Sequence, residues 1–164
     1  MSELLKNPLW KNRTKVIEYW FKSLQNKICE SFEKQDNNYT LLNNILSKSG
    51  KFVKTNWSRK EINGGGGETA IMRGNLFEKV GVNISTVKGT FSDDFKNTIK
   101  GATKNPKFYA TGISVVAHMH SPYIPAAHMN TRFIMTTEAW FGGGYDLTPT
   151  LNKLKIKSYL HQNL

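Results

Sequence analysis

A chain of 164 residues with 23 Lys or Arg against 12 Asp or Glu, net charge +11, has the length of one domain and favours anionic partners: nucleic acid, an acidic membrane surface or a polycarboxylate. The excess is spread, with twelve basic residues against five acidic over 1–60 and eleven against seven over 61–164, and no run is long enough for a basic arm, so it reads as solvated surface. A single Cys29 excludes an internal disulfide, the N-terminus lacks a signal-peptide core, and nothing approaches the ~20 apolar residues of a membrane span, so a cytoplasmic protein without membrane insertion is expected.

Over 14–34 the apolar residues Val16, Trp20, Leu24, Ile28 and Phe32 recur at every fourth position, widened by Ile17, Phe21 and Cys29. That period predicts one amphipathic helix whose stripe buries Cys29 as a structural thiol. The turn formers QDNNYT at 35–40 predict its end, and 41–50 reads as a short helix or ordered loop closing at Gly50. From 51 the pattern changes to β-type runs at 51–55, 69–73, 76–87, 109–118 and 131–137. A helix is expected at 92–100, with Ser92 as its cap and Asp93 and Asp94 in its first turn. The run NGGGGE at 63–68 lacks the Lys-Ser/Thr of a phosphate loop and reads as a flexible loop or a plain linker. Connections are too short for repeated crossover helices, so the sheet should be mainly antiparallel, in an α+β (α/β) class.

The richest stretch is AAHMNTRFIMTTEAWFGGGYDLTPT at 126–150. Alternation puts His128, Asn130 and Arg132 on one face of a strand. Trp140 and Phe141 add apolar bulk, Gly142, Gly143 and Gly144 admit a ligand close to backbone, and Asp146 follows on a turn, together suggesting a pocket for an aromatic anion. His118 and His128, ten residues apart, are compatible with a shared divalent metal, with acid and base roles, or with ordinary hydrogen bonding. Arg132 can clamp a carboxylate or extend to solvent, and Asp146 can take ligand N–H groups or stabilise its own turn.

HxNxRF followed by WFGGGxDLTP resembles the oxygen-dependent coproporphyrinogen III oxidases. Trp57 and Arg59 before the glycines at 64–67, NLFEKVGVNIS at 75–85, and TGISVVAHMHSPYIPAAH at 111–128 agree in order and spacing. The resemblance covers roughly 16–150, taken as the N-terminal part of a single domain (1–150), while 151–164 reads as a divergent basic tail, making the chain look like an N-terminal half. It implies a broad antiparallel sheet flanked by helices on both faces, and oxidative decarboxylation of coproporphyrinogen III to protoporphyrinogen IX. Molecular oxygen is the co-substrate, without flavin or haem. It further implies His128, Asp146 and Arg132 as catalytic, Ser114, Asn130, the Thr131 backbone, Arg132, Gly143 and Gly144 as substrate-binding, and His118 with His128 as metal ligands. As a lone half the chain is expected to bind metal weakly or not at all and to have little activity, with self-association (the family forms homodimers) or a complementary half as remedies. A non-catalytic porphyrin-binding fragment and a basic nucleic-acid-binding module are the alternatives, nucleic acid being the less expected partner.

Overall fold

The computed structural model describes residues 3–61 and 63–151; the basic tail read at 151–164 lies, but for its first residue, outside them. After a 3-10 turn at Glu3–Lys6, one long helix, α1 (Pro8–Leu42), precedes six strands: β1 (Val53–Ser58), β2 (Gly65–Met72), β3 (Phe77–Thr90), β4 (Lys107–Met119), β5 (Ala126–Met135) and β6 (Ala139–Thr148). A short helix, α2 (Asp93–Lys96), interrupts between β3 and β4. Every strand pairs antiparallel with its sequence neighbour, giving the order β1-β2-β3-β4-β5-β6. The α+β antiparallel architecture is therefore as the sequence implies, with α1 on one face. No helix covers the opposite face among the described residues.

Helix α1 begins where Asn7 accepts a hydrogen bond from the Leu9 N–H at 2.9 Å, with Pro8 supplying a fixed φ in the first turn. It does not stop at residue 34. The turn formers of 35–40 stay helical because tertiary bonds replace their local ones: the Asp36 carboxylate is fully buried and accepts from the backbone N–H of Gly50 (2.7 Å), Leu76 (2.9 Å), Asn75 (3.2 Å) and Phe77 (3.4 Å). Thr40 Oγ1 donates to the Asp36 carbonyl at 2.7 Å. Residues 43–52 then form an ordered loop tied to the helix through Gly50.

The buried stripe of α1 is rotated from the expected one. Phe21, Gln25, Cys29 and Asp36 are buried with Ile17, Leu24, Ile28 and Phe32 packed beside them, whereas Val16 (68%) and Trp20 (50%) are exposed. A hydrophobic pattern cannot locate this face because two of its members are polar. Gln25 can lie in the core because its Nε2 donates to the Val82 carbonyl at 3.0 Å, giving the buried amide a partner. Cys29 is a buried thiol whose pKa is pushed up to about 11 by burial, against the pull of Lys54.

Against α1 the sheet presents Val80 and Val82 of β3, Tyr109, Ile113, Val115 and Ala117 of β4, and Phe133 and Met135 of β5. On β4 the burial alternates strictly, so one face is core and the other is left for something else. Tyr109 is buried with its hydroxyl donating to Glu18 on α1, and burial raises its pKa far above the usual phenol value.

Three expectations are corrected here. The glycines of 63–68 are no loose loop: Gly65, Gly66 and Gly67 lie in β2, paired with β3, while Asn63 (φ 62) makes the turn before them. Gly142, Gly143, Gly144 and Asp146 belong to strand β6, so Asp146 is on no turn. The helix at 92–100 shrinks to α2, which keeps Asp93 and Asp94 in its first turn, although Ser92 makes no side-chain cap bond.

Candidate active site

Strand pairing draws the uncovered face as rows of side chains. One row runs Trp57, Gly67, Ser85, Gly112, Arg132, Gly142 across β1 to β6; the next runs Thr55, Thr69, Asn83, Ser114, Asn130, Gly144; a third ends in Val116, His128 and Asp146. Side chains that the sequence scatters over ninety positions thus share one surface, because residues directly opposite in a ladder point to the same side.

Two hollows lie on this face. A groove of about 360 Å³ is lined by Trp57, Asn83, Ser85, Ser114, Asn130 and Arg132 among others. A second hollow, lined by Glu78, His118, His120, Ile124, His128 and Thr148, adjoins the His128 end. Glycines keep the floor low. A Cβ at Gly142 or Gly144 would meet nothing within 4 Å, so their strand offers open backbone at the groove's margin.

The polar groups form two linked pairs. His128 Nδ1 lies 2.8 Å from Asp146 Oδ1, which also accepts from Thr148 Oγ1 at 2.8 Å. The hydrogen bond to His128, then that from Thr148, holds the Asp146 carboxyl below the usual carboxylate range, so it is ionised at neutral pH and fixes the ring's orientation. Arg132 donates from one terminal nitrogen to Asn130 Oδ1 at 2.9 Å and meets no carboxylate among the described residues, leaving the rest of its fork for an anion. The ring of His118 sits at 6.0 Å, edge to face, from that of His128.

The residues singled out in the sequence therefore converge, with two exceptions, Gly143 and Phe141. Thr131 pairs with Ile113 and turns its side chain toward α1, so it borders the groove by the backbone that the resemblance names, whereas Gly143, opposite Thr131, lies on that reverse face. Phe141 likewise faces away, against Phe133 with ring centroids 5.0 Å apart, while Trp140 points to the open side. Missed in the sequence were Asn83 and Ser85. The alternation Gly81, Asn83, Ser85 within GVNIS was the available signal, hidden because β3 was read only as strand and not by face.

The family model described as coproporphyrinogen III oxidase matches residues 16–164. The chain belongs to the coproporphyrinogen III oxidase family. The oxygen-dependent coproporphyrinogen-III oxidase of Rickettsia felis is 51% identical over 146 residues, which are 89% of this chain and 51% of that protein. The enzymes of the same name from Rickettsia typhi and Rickettsia prowazekii are each 53% identical over 135 residues, 82% of this chain and 47% of theirs. The chain spans about half the length of the curated relatives it matches.

For this coproporphyrinogen oxidase relative, the metal implied by the resemblance does not fit the residues present. His128 commits Nδ1 to Asp146, and no group of three or more His, Cys, Asp or Glu that could hold an ion occurs among the described residues. Two imidazoles fall short of the three or four protein ligands of a resident site. No helix among the described residues is long and apolar enough to cross a membrane.

Proposed function

We propose that the uncovered face is the N-terminal share of an active site that oxidatively decarboxylates coproporphyrinogen III to protoporphyrinogen IX in the cytoplasm. The observation that carries this reading is the gathering of Ser114, Asn130, Arg132, His128 and Asp146 on one glycine-floored face that no helix covers among the described residues.

The substrate is a flexible ring of four electron-rich pyrroles edged with carboxylates. Each reacting propionate loses its carboxyl as CO2 and a proton from the carbon beside the pyrrole, and passes two electrons to molecular oxygen, leaving a vinyl group. Arg132, backed by Asn130, receives a propionate carboxylate as a bidentate fork, and Ser114 adds a hydrogen bond from the neighbouring strand. His128, held by Asp146, takes the methylene proton, the carboxylate stabilising the imidazolium that forms. The Asp146 oxygen not engaged by His128 and Thr148 faces charge developing on the pyrrole. Oxygen reacts with the activated pyrrole directly, with no flavin or haem.

The test is aerobic turnover of coproporphyrinogen III by the chain, alone and mixed with the C-terminal half of a relative, with circular dichroism and sizing on the same sample. Air-dependent vinyl formation that falls at least about tenfold in Asp146→Ala, a typical loss for a general base's partner, supports the reading. A folded mixture that binds and converts nothing overturns it.

A further inference from the structure

Asn83 sits in the middle of the groove floor, between Thr69 on β2 and Ser114 on β4, in the row that continues to Asn130. Its Oδ1 is buried and has no hydrogen-bond partner, alone among the buried side-chain polar atoms of the described residues. An orphaned buried acceptor destabilises the folded state, so a donor that meets it on binding relieves that cost. Nothing about the strand requires an amide there. Gly81, its neighbour on the same face, leaves room beside it, for a Cβ at Gly81 would meet only the Asn83 amide nitrogen, at 3.6 Å.

The missing partner must be a donor. This step rests on the function proposed above, because coproporphyrinogen III with ionised propionates offers one kind of donor only, its pyrrole N–H groups. In the porphyrinogen the rings are joined by saturated carbons, so each pyrrole can tilt and aim its N–H out of the ring plane toward a floor beneath. In the oxidised porphyrin the nitrogens are locked in one plane and their hydrogens point inward. The two molecules carry the same carboxylates and differ in whether an acceptor below them can be satisfied.

Asn83 and His128 are two strands and one row apart, about 12 Å by strand spacing and rise. A tetrapyrrole lying on the floor can therefore place a ring nitrogen over Asn83 while an outer methylene reaches the His128–Asp146 pair. We propose that Asn83 is a substrate-binding residue whose carboxamide, turned by half a rotation about χ2 so that its oxygen meets the groove, accepts a pyrrole N–H, and that it selects the reduced porphyrinogen over the planar porphyrin.

The experiment measures binding of coproporphyrinogen III, under anaerobic conditions, and of coproporphyrin III to the full chain and to Asn83→Leu, Asn83→Asp and Arg132→Ala. Asn83→Leu should weaken porphyrinogen binding about tenfold, the worth of one hydrogen bond to a buried acceptor, and leave porphyrin binding within about twofold. Asn83→Asp, which keeps an acceptor, should restore the porphyrinogen preference. Thermal melting should show Asn83→Leu no less stable than the parent, since no protein bond to Oδ1 is lost. Equal losses for both ligands, or none for either, overturn the role of Asn83. Arg132→Ala separates the two ideas, because it should weaken both ligands through their shared carboxylates. If the parent chain binds neither ligand, or Arg132→Ala changes neither, the active-site reading fails and the Asn83 assignment fails with it.

Discussion

The two faces of this sheet obey different rules. On the side of α1, polar groups enter the core only when fully matched: Asp36 collects four backbone N–H groups, Gln25 bonds the Val82 carbonyl, and Tyr109 bonds Glu18. On the other side, among the described residues, Asn83 has an unmatched oxygen, Arg132 has no carboxylate, and glycines stand where side chains would fill. A face that completes its own bonding is built for stability. A face that leaves bonds open in a concave floor is built for a partner, so polarity alone does not separate site from scaffold. Completion does.

Breaking the matched side should cost most. Asp36→Ala strands four backbone donors at once and should lower unfolding free energy by about 3 kcal/mol or more, read from the urea midpoint. Its pH dependence has a definite sign. Burial by itself would raise the Asp36 pKa, but the hydrogen bonds from Gly50, Leu76, Asn75 and Phe77 outweigh it and set the folded value below the usual carboxylate range. The stabilisation is complete above the unfolded carboxyl pKa and is lost as pH falls through the folded one. The gap between the parent and Asp36→Ala midpoints should therefore narrow only in acid; a gap that widened there would contradict the mechanism.

Glycine substitutions sharpen the contrast at a smaller scale. A Cβ at Gly74 would lie 2.2 Å from Asp36 Oδ1, whereas one at Gly144 meets nothing within 4 Å. Gly74→Ala should cost about 1–3 kcal/mol by overpacking. Gly144→Ala should shift stability by less than about 0.5 kcal/mol, while Gly144→Val raises the margin of the floor and weakens tetrapyrrole binding. Smallest of all, Lys96→Ala removes an exposed pair with Asp93 at 2.6 Å and should leave the urea midpoint nearly unchanged, any difference vanishing in high salt.

Much of this was legible in the sequence because period-2 alternation is local. His128, Asn130 and Arg132 needed only one strand to share a face, and they do. The family's motifs brought His118, Ser114 and Asp146 to the same site. What failed was whatever depended on distant partners. The residues 35–40 look like a turn until Gly50 and residues 75–77 supply the bonds that keep them helical. Val16 and Trp20 look like core until Gln25 finds a carbonyl across the sheet. The glycine run at 63–68 reads as a loop because glycine is poor at forming strands, yet register with β3 holds Gly65, Gly66 and Gly67 in β2. Asn83 escaped because an unpaired atom is invisible until all its neighbours are placed.

Sheet order that repeats chain order has a consequence for how the molecule is made. Each strand from β2 to β6 finds its ladder partner already present in the segment synthesised just before it, and the helix that shields the core emerges before the sheet. Assembly can follow the chain outward from the ribosome, one strand at a time, with a short loop to close at each step except between β3 and β4, where α2 intervenes. The growing edge is at every stage the most recent strand, so the site, whose polar groups lie on β3 to β6, takes shape only as those strands are added.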